Sequence, residues 1–351
     1  MSMRVRIFGA TGVLLFLIAC VVLIWRRGPE WSSVWDAFAL VTWEWIAVAI
    51  GLNLLSVVVR SLCWRTIIDQ ALVPRPPLGS VFSAYCVGLL ANAALPGRVG
   101  ELARVAVLTR RMERGRGATA TLLGTVFAHR VFDLFPALVL TAYVLLTAQI
   151  PHWAVTSLVL VAAIGVVLFA FALVSGRIRK YPALHELGRV RRLLSTARRG
   201  LRVMRSPLAA VIAVLFQSMG WFLQLLAVWA TMRAFDIHSP LDAAALVLLL
   251  MNVATIFPLW PGNFGLLQAA VALPLVSYGV AYARGFAYGI GLQIVEASVG
   301  VGLGLVFLAR EGLSFATLKE MPEEAEDELL EPARIERPEA DAAPTRARVS
   351  G

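Results

Sequence analysis

Asn92-Ala-Ala-Leu-Pro96-Gly97-Arg98-Val-Gly100-Glu101-Leu-Ala-Arg104 decides how this chain folds. Up to Leu95 the residues read as an apolar helix. Pro96 then removes a backbone donor, Gly97 and Gly100 permit unusual dihedrals, and three charges follow within seven residues. A helix is expected to end here and another to begin at about Val99. A second break of the same kind, Pro261-Gly262-Asn263-Phe264-Gly265, lies in the other half of the chain. Broken backbone at membrane depth survives only where protein buries it or a wet cavity faces it. The two breaks are therefore expected to form the two jaws of one binding site.

Composition sets the medium. Of 351 residues, 59% are hydrophobic, and the mean hydropathy is +0.77, which points to a polytopic membrane protein of the all-α class. Cys20, Cys63 and Cys86 sit in apolar runs at spacings that fit neither a metal site nor a paired framework. The four histidines are scattered. Nucleophile-elbow, phosphate-loop and dinucleotide motifs are missing, so neither an enzyme nor a cofactor or metal is expected. The net charge of +10 conceals an asymmetry: from Glu311 onward there are eleven acidic and five basic residues. Residues 313–351 are expected to be an acidic, disordered tail behind a membrane domain of residues 1–312.

Residues 7–25 read as a retained first span, since Arg26-Arg27 follows without a small-residue cleavage pattern. Trp31, Trp35, Trp43 and Trp45 beside Glu30 and Asp36 suit an interfacial segment. Further spans are expected at 45–64, 118–149, 152–175, 208–234 and 284–308, each near the roughly 20 residues a crossing needs. Residues 177–205 hold ten basic residues against a lone Glu186. Between two spans this reads as a cytoplasmic face toward lipid headgroups, not a nucleic-acid partner site.

Loop arginines place 65–77, 98–116 and 177–205 in the cytoplasm. Residues 78–112 then begin and end on one side, so they must dip in and turn back at Pro96-Gly97. By the same counting, 241–280 begin and end outside, turning at Pro261-Gly262. The expected architecture is about six full spans plus two broken re-entrant hairpins, in inverted repeats covering about 43–150 and 208–310. Both termini fall in the cytoplasm. The polar residues match across the halves: Arg130 and Asp133 stand three apart on one helix face, as do Gln293 and Glu296.

Charges inside spans are functional candidates because they are costly unless paired or hydrated. Arg98, Arg104 and Arg130 present planar forks suited to phosphate oxygens; the alternative for Arg130 is an internal pair with Asp133. Glu101 is expected either to neutralise Arg104 across one turn or to cap freed backbone donors. Asn92 and Asn263 are expected to satisfy backbone groups exposed by the breaks. Glu296 is an acid without an obvious cationic neighbour in sequence, expected to be either neutral or a proton carrier. Gln217, Gln224 and Gln268 read as interhelical ties, while Arg60 and Arg233 are expected to reach out to the interfaces.

The first motif, Leu95-Pro96-Gly97-Arg98 with Gly100-Glu101 and Arg104, resembles the signature of the lysylphosphatidylglycerol synthase transmembrane-region family, also called flippase-like membrane proteins. His129-Arg130-Val-Phe-Asp133 is similar to that family's Arg-x-x-Asp span, and Pro261-Gly262-Asn-Phe-Gly265 to its second Pro-Gly motif. The resemblance covers roughly residues 10–310. It departs at Gln268 and Gln293, neutral amides where the resemblance implies an acid and a base. Members that aminoacylate lipids carry a separate soluble acyltransferase domain, whereas about 40 residues follow the last span here, so aminoacyl transfer by this chain alone is not expected.

Two functions remain open at this point. The first is a lipid translocase of the bacterial cytoplasmic membrane, with Arg98, Arg104 and Arg130 engaging an anionic phospholipid or lipid-linked headgroup while Asn92, Glu101, Asp133, Asn263, Gln268, Gln293 and Glu296 line the path. The second is a non-transporting scaffold for a lipid-modifying enzyme or glycosyltransferase partner, supported by the basic 177–205 face and the acidic tail.

Overall fold

A computed structural model describes residues 29–95, 99–112, 116–150, 206–256 and 263–321, with short helical stretches within 155–170. The expected first span, the basic stretch 177–205, the tail beyond 321, and the break residues Pro96, Gly97, Arg98, Pro261 and Gly262 lie outside the described residues. So does most of the expected span at 152–175.

The described residues are helical, with no strand among them. In chain order the helices are α1 (Trp31–Ala39), α2 (Trp43–Ala71), α3 (Leu78–Ala94), α4 (Gly100–Arg111), α5 (Arg116–Thr147), α6 (Pro207–Ala234), α7 (Leu241–Ile256), α8 (Leu266–Val276) and α9 (Tyr282–Arg310). Four stretches among the described residues are long and apolar enough to cross a membrane: Trp43–Ala71, Ala118–Thr147, Pro207–Ala234 and Tyr282–Arg310. The chain is a multi-pass helical membrane protein.

Helix ends follow local chemistry. Ser206 caps α6 by accepting from the Ala209 amide at 3.5 Å, and Pro207 occupies the first turn, where its missing donor costs nothing. The α1 segment carries Trp31 and Trp35, two of the four tryptophans of the expected interfacial segment. Trp31 meets Phe286 edge-on at 6.0 Å and Phe38 meets Phe235 at 5.3 Å, while Trp35 and Trp43 are exposed.

Around the first break, α3 and α4 form an antiparallel hairpin. Asn92 faces Gly100, Gly88 faces Arg104, and Ser80 faces Arg111, so residues equidistant from the break meet. A Cβ at Gly100 would stand 2.0 Å from the Gly88 carbonyl oxygen. Two glycine-faced helices can approach that closely because neither backbone carries a side chain there. The second hairpin, α7 with α8, is likewise antiparallel: Asn263 reaches Ala254 near the break, and Tyr278 reaches Asp242 at the far end.

The two long helices α2 and α6 form the central antiparallel pair. The Thr42 amide donates to the Ala234 carbonyl at 2.9 Å, Trp45 meets Trp229 edge-on at 5.8 Å, and Ser56 Oγ donates to the Gly220 carbonyl at 2.9 Å. Each hairpin sits in its own apolar core. Trp64, Val81, Leu90, Leu108 and Leu122 enclose the first; Met232, Leu246, Leu248, Leu275 and Tyr288 enclose the second. The helix α9 crosses both, and Gly304 lets it close on α3, since a Cβ there would stand 2.3 Å from that of Leu90. Packing continues past α9: residues 315–321 are helical, with Leu318 and Met321 buried. The expected boundary at residue 312 therefore falls inside folded chain.

Candidate functional site

The first break is closed by a side chain. Asn92 Oδ1 accepts from the Gly100 amide at 2.9 Å, satisfying one of the donors left free at the start of α4. At the second break Asn263, at φ 45°, donates from Nδ2 to the Ala254 carbonyl at 3.3 Å. Gly265, at φ 90°, gives its amide to Gln268 Oε1 at 2.6 Å. Both asparagines thus bridge the ends of the interrupted helices, as expected.

From each mended break a polar side chain reaches the helix that ends the same half. In the first half Arg130 Nε of α5 donates to Glu101 Oε1 of α4 at 2.6 Å. Glu101 therefore neutralises Arg130, not Arg104 across one turn. In the second half Gln268 Nε2 of α8 donates to Gln293 Oε1 of α9 at 2.6 Å. The two neutral amides that depart from the family pattern thus satisfy one another.

One helical turn further along, an acid in each half turns toward the α2–α6 pair. Asp133 pairs with Arg130 Nη1 at 3.2 Å, and its Oδ1 accepts from Trp221 Nε1 at 3.0 Å and from Gln217 Nε2. Glu296 Oε1 accepts from Gln224 Nε2 at 3.2 Å, and Gln224 Oε1 accepts in turn from Arg60 Nη2. The Arg60 guanidinium lies 5.7 Å from the centre of the Trp221 ring, and Trp221 donates to Asp133. An unbroken chain of contacts therefore runs Glu101, Arg130, Asp133, Trp221, Arg60, Gln224, Glu296, through five helices.

Arg60 is a correction. A span ending near Trp64 would put it within reach of the interface, but α2 continues to Ala71, which leaves Arg60 well inside. Asn53, Ser56, Arg60 and Trp64 recur at spacings of three and four, so they share one helix face. That stripe is the signal that sequence reasoning passed over. Gly220 receives the Arg60 stem; a Cβ there would stand 2.7 Å from its Cγ. Arg233 stacks 4.7 Å from the centre of the Trp229 ring, with its Nε buried.

Arg104 differs from Arg130. Arg130 is half exposed, at 51%, and bonded to two carboxylates. Arg104 is only 5% exposed, held 4.8 Å above Trp64 and 5.6 Å above Tyr85, and its Nε and Nη2 have no hydrogen-bond partner among the described residues. Such a cation gains from aromatic faces but leaves N–H groups open to an acceptor. With Arg104, one turn after Glu101 on α4, added to the track, three guanidinium groups (Arg60, Arg104 and Arg130) stand against three carboxyl groups (Glu101, Asp133 and Glu296), which lowers the cost of keeping them in an apolar surround.

A family model described as the lysylphosphatidylglycerol synthase TM region matches residues 9–304. An UPF0104 membrane protein of Methanocaldococcus jannaschii is 22% identical over 204 residues, covering 56% of this chain and 83% of that protein. No solved structure matches.

Proposed function

The chain belongs to the lysylphosphatidylglycerol synthase transmembrane-region family, and from that premise we propose that it is a flippase-type translocase, not an enzyme, that carries an anionic phospholipid or lipid-linked headgroup across the cell membrane. The headgroup passes along the polar track while the acyl chains stay in the bilayer. Membrane lipid is its partner, and both termini lie in the cytoplasm.

One observation carries this reading: polar side chains from the two halves converge on one track through α4, α5, α6, α2 and α9, the first four contact by contact from Glu101 to Arg60 and the last through Gln224 to Glu296. Hairpin dimensions support the re-entrant arrangement. At ~1.5 Å per residue, α3 and α7 reach about 25 Å and α4 and α8 less than about 20 Å, short of a hydrocarbon core of about 30 Å.

The packing partners support the inverted repeat. Exchanging α2 with α6, α3 with α7, α4 with α8 and α5 with α9 leaves the set of packed helix pairs unchanged, apart from the contact of α1 with α9. The exchanged helices α2 and α6 run in opposite directions, as members of oppositely inserted halves must.

The test is transport in proteoliposomes containing headgroup-labelled phosphatidylglycerol, read by access of an impermeant quencher. The expected result is protein-dependent movement that falls about tenfold or more in Glu101→Gln, which removes a charge from the track. No movement by the unaltered protein, with a lipid-modifying enzyme co-purifying through residues 177–205, would overturn the translocase in favour of a scaffold.

A further inference from the structure

The donors left open behind the track form a group of their own. Arg60 Nε, Arg104 Nε and Arg104 Nη2 are buried without a partner among the described residues, as are both ring nitrogens of His129 and Gln217 Oε1. Contacts link the residues that carry these atoms. Trp64 lies one turn after Arg60 on α2 and carries Arg104 on its ring. Tyr85 touches Arg104 on one side and His129, 6.2 Å between ring centres, on the other. Gln217 reaches Asp133, one turn along α5 from His129.

The group is unbalanced. Three guanidinium nitrogens carry N–H groups with nothing to accept them. The only acceptors among the same unpartnered atoms are one amide oxygen and, where the imidazole is uncharged, one ring nitrogen. A water brings as many donors as acceptors and leaves this excess standing. A phosphate oxyanion brings acceptors alone and matches the open Nε–Nη2 fork of Arg104 together with the open Nε of Arg60. Arg130 is less suited to the task, because two carboxylates already occupy its N–H groups.

We propose that Arg104 and Arg60, on the Trp64 face of α2, form a buried site for a phosphate oxyanion, with His129 as an additional donor. The proposal deepens the translocase reading and rests on it for the ligand being a lipid; binding itself is measured without transport. Arg104, propped between two aromatic rings, fixes one end of the site. Arg60, seated over Gly220 and tied through Gln224 to Glu296, fixes the other and connects the bound phosphate to the second half of the chain.

The test is lipid retention by the purified full chain in native mass spectrometry, with phosphatidylglycerol, diacylglycerol lacking the phosphate, and inorganic phosphate as separate probes. Phosphatidylglycerol should be retained and diacylglycerol not. Displacement by millimolar inorganic phosphate would identify a site that also takes the free anion, and its failure a site that needs the lipid; both fit the oxyanion assignment.

Arg104→Gln and Arg60→Gln should each weaken phosphatidylglycerol retention by about thirtyfold or more. Arg104→Lys should recover part of it, and Arg233→Gln should leave it intact. Thermal unfolding identifies any variant that fails to fold. Equal retention of both lipids, or full retention in a folded Arg104→Gln Arg60→Gln double variant, would overturn the site. The same preparation in proteoliposomes separates the two claims: binding without movement removes the translocase and keeps the site, while movement unaffected by the double variant removes the site and keeps the translocase.

Discussion

Arg130 and Glu101, 29 positions apart, are joined by a 2.6 Å hydrogen bond that ties the helix emerging from the first break to the helix closing that half. Because Asp133 also holds Arg130, the guanidinium serves as a fixed crosspiece and not as a free cation. Replacing Arg130 by Gln should leave two carboxylates facing each other with no charge between them. Because Arg130 is half exposed, we expect loss of about 1–2 kcal/mol of stability in a denaturation series, between the values for exposed and buried pairs, and a smaller loss in Glu101→Gln, where Asp133 still answers Arg130.

Gln224 is the tie between halves. Replacing it by Leu leaves Arg60 Nη2 without its acceptor and Glu296 without its donor. The expected cost is about 1–3 kcal/mol, read as a drop in unfolding temperature. Glu296→Gln in the Gln224→Leu background should add little, since the contact it would disturb is already gone.

Close backbone approach can be tested at glycines. Gly304→Ala puts a Cβ 2.3 Å from that of Leu90 and 3.0 Å from the Cys86 carbonyl oxygen. It should destabilise by about 1–3 kcal/mol. Gly51→Ala, where nothing lies within 4 Å of the added atom, should be neutral or slightly stabilising through helix propensity. The pair of variants separates packing from propensity in one thermal-unfolding experiment.

Asn92→Ala removes the acceptor for the Gly100 amide. We expect about 1 kcal/mol lost and faster hydrogen exchange at Gly100, with exchange in α7 and α8 unchanged.

Much of the first break was legible from residues 92 to 104 alone. Proline and glycine act on the backbone where they stand, so the interruption and the restart of helix near Val99 follow from local rules, and Asn92 is close enough to close the gap. Arg130 with Asp133 was legible too, because three residues on a helix is a fixed distance. The Glu101–Arg130 contact was not, since its partners meet only through the packing of α4 on α5. Arg60 was misplaced for a related reason: where a span ends in polar surroundings is decided by what packs beside it, and Trp64 at the expected end is fully buried, as are Ile67 and Ile68 beyond it. The match between Gln268 and Gln293 was visible only as two departures, and their meaning came from finding them bonded.

The most direct test is the sidedness of the hairpin ends. With Cys20, Cys63 and Cys86 replaced, single cysteines at Arg75, Met112, His238 and Ser277 would be labelled by an impermeant maleimide in sealed vesicles of known orientation. The expected result is that 75 and 112 react only from the cytoplasmic face and 238 and 277 only from the opposite face. Reaction of 75 and 112 from opposite faces would make the first hairpin a true crossing and contradict the account.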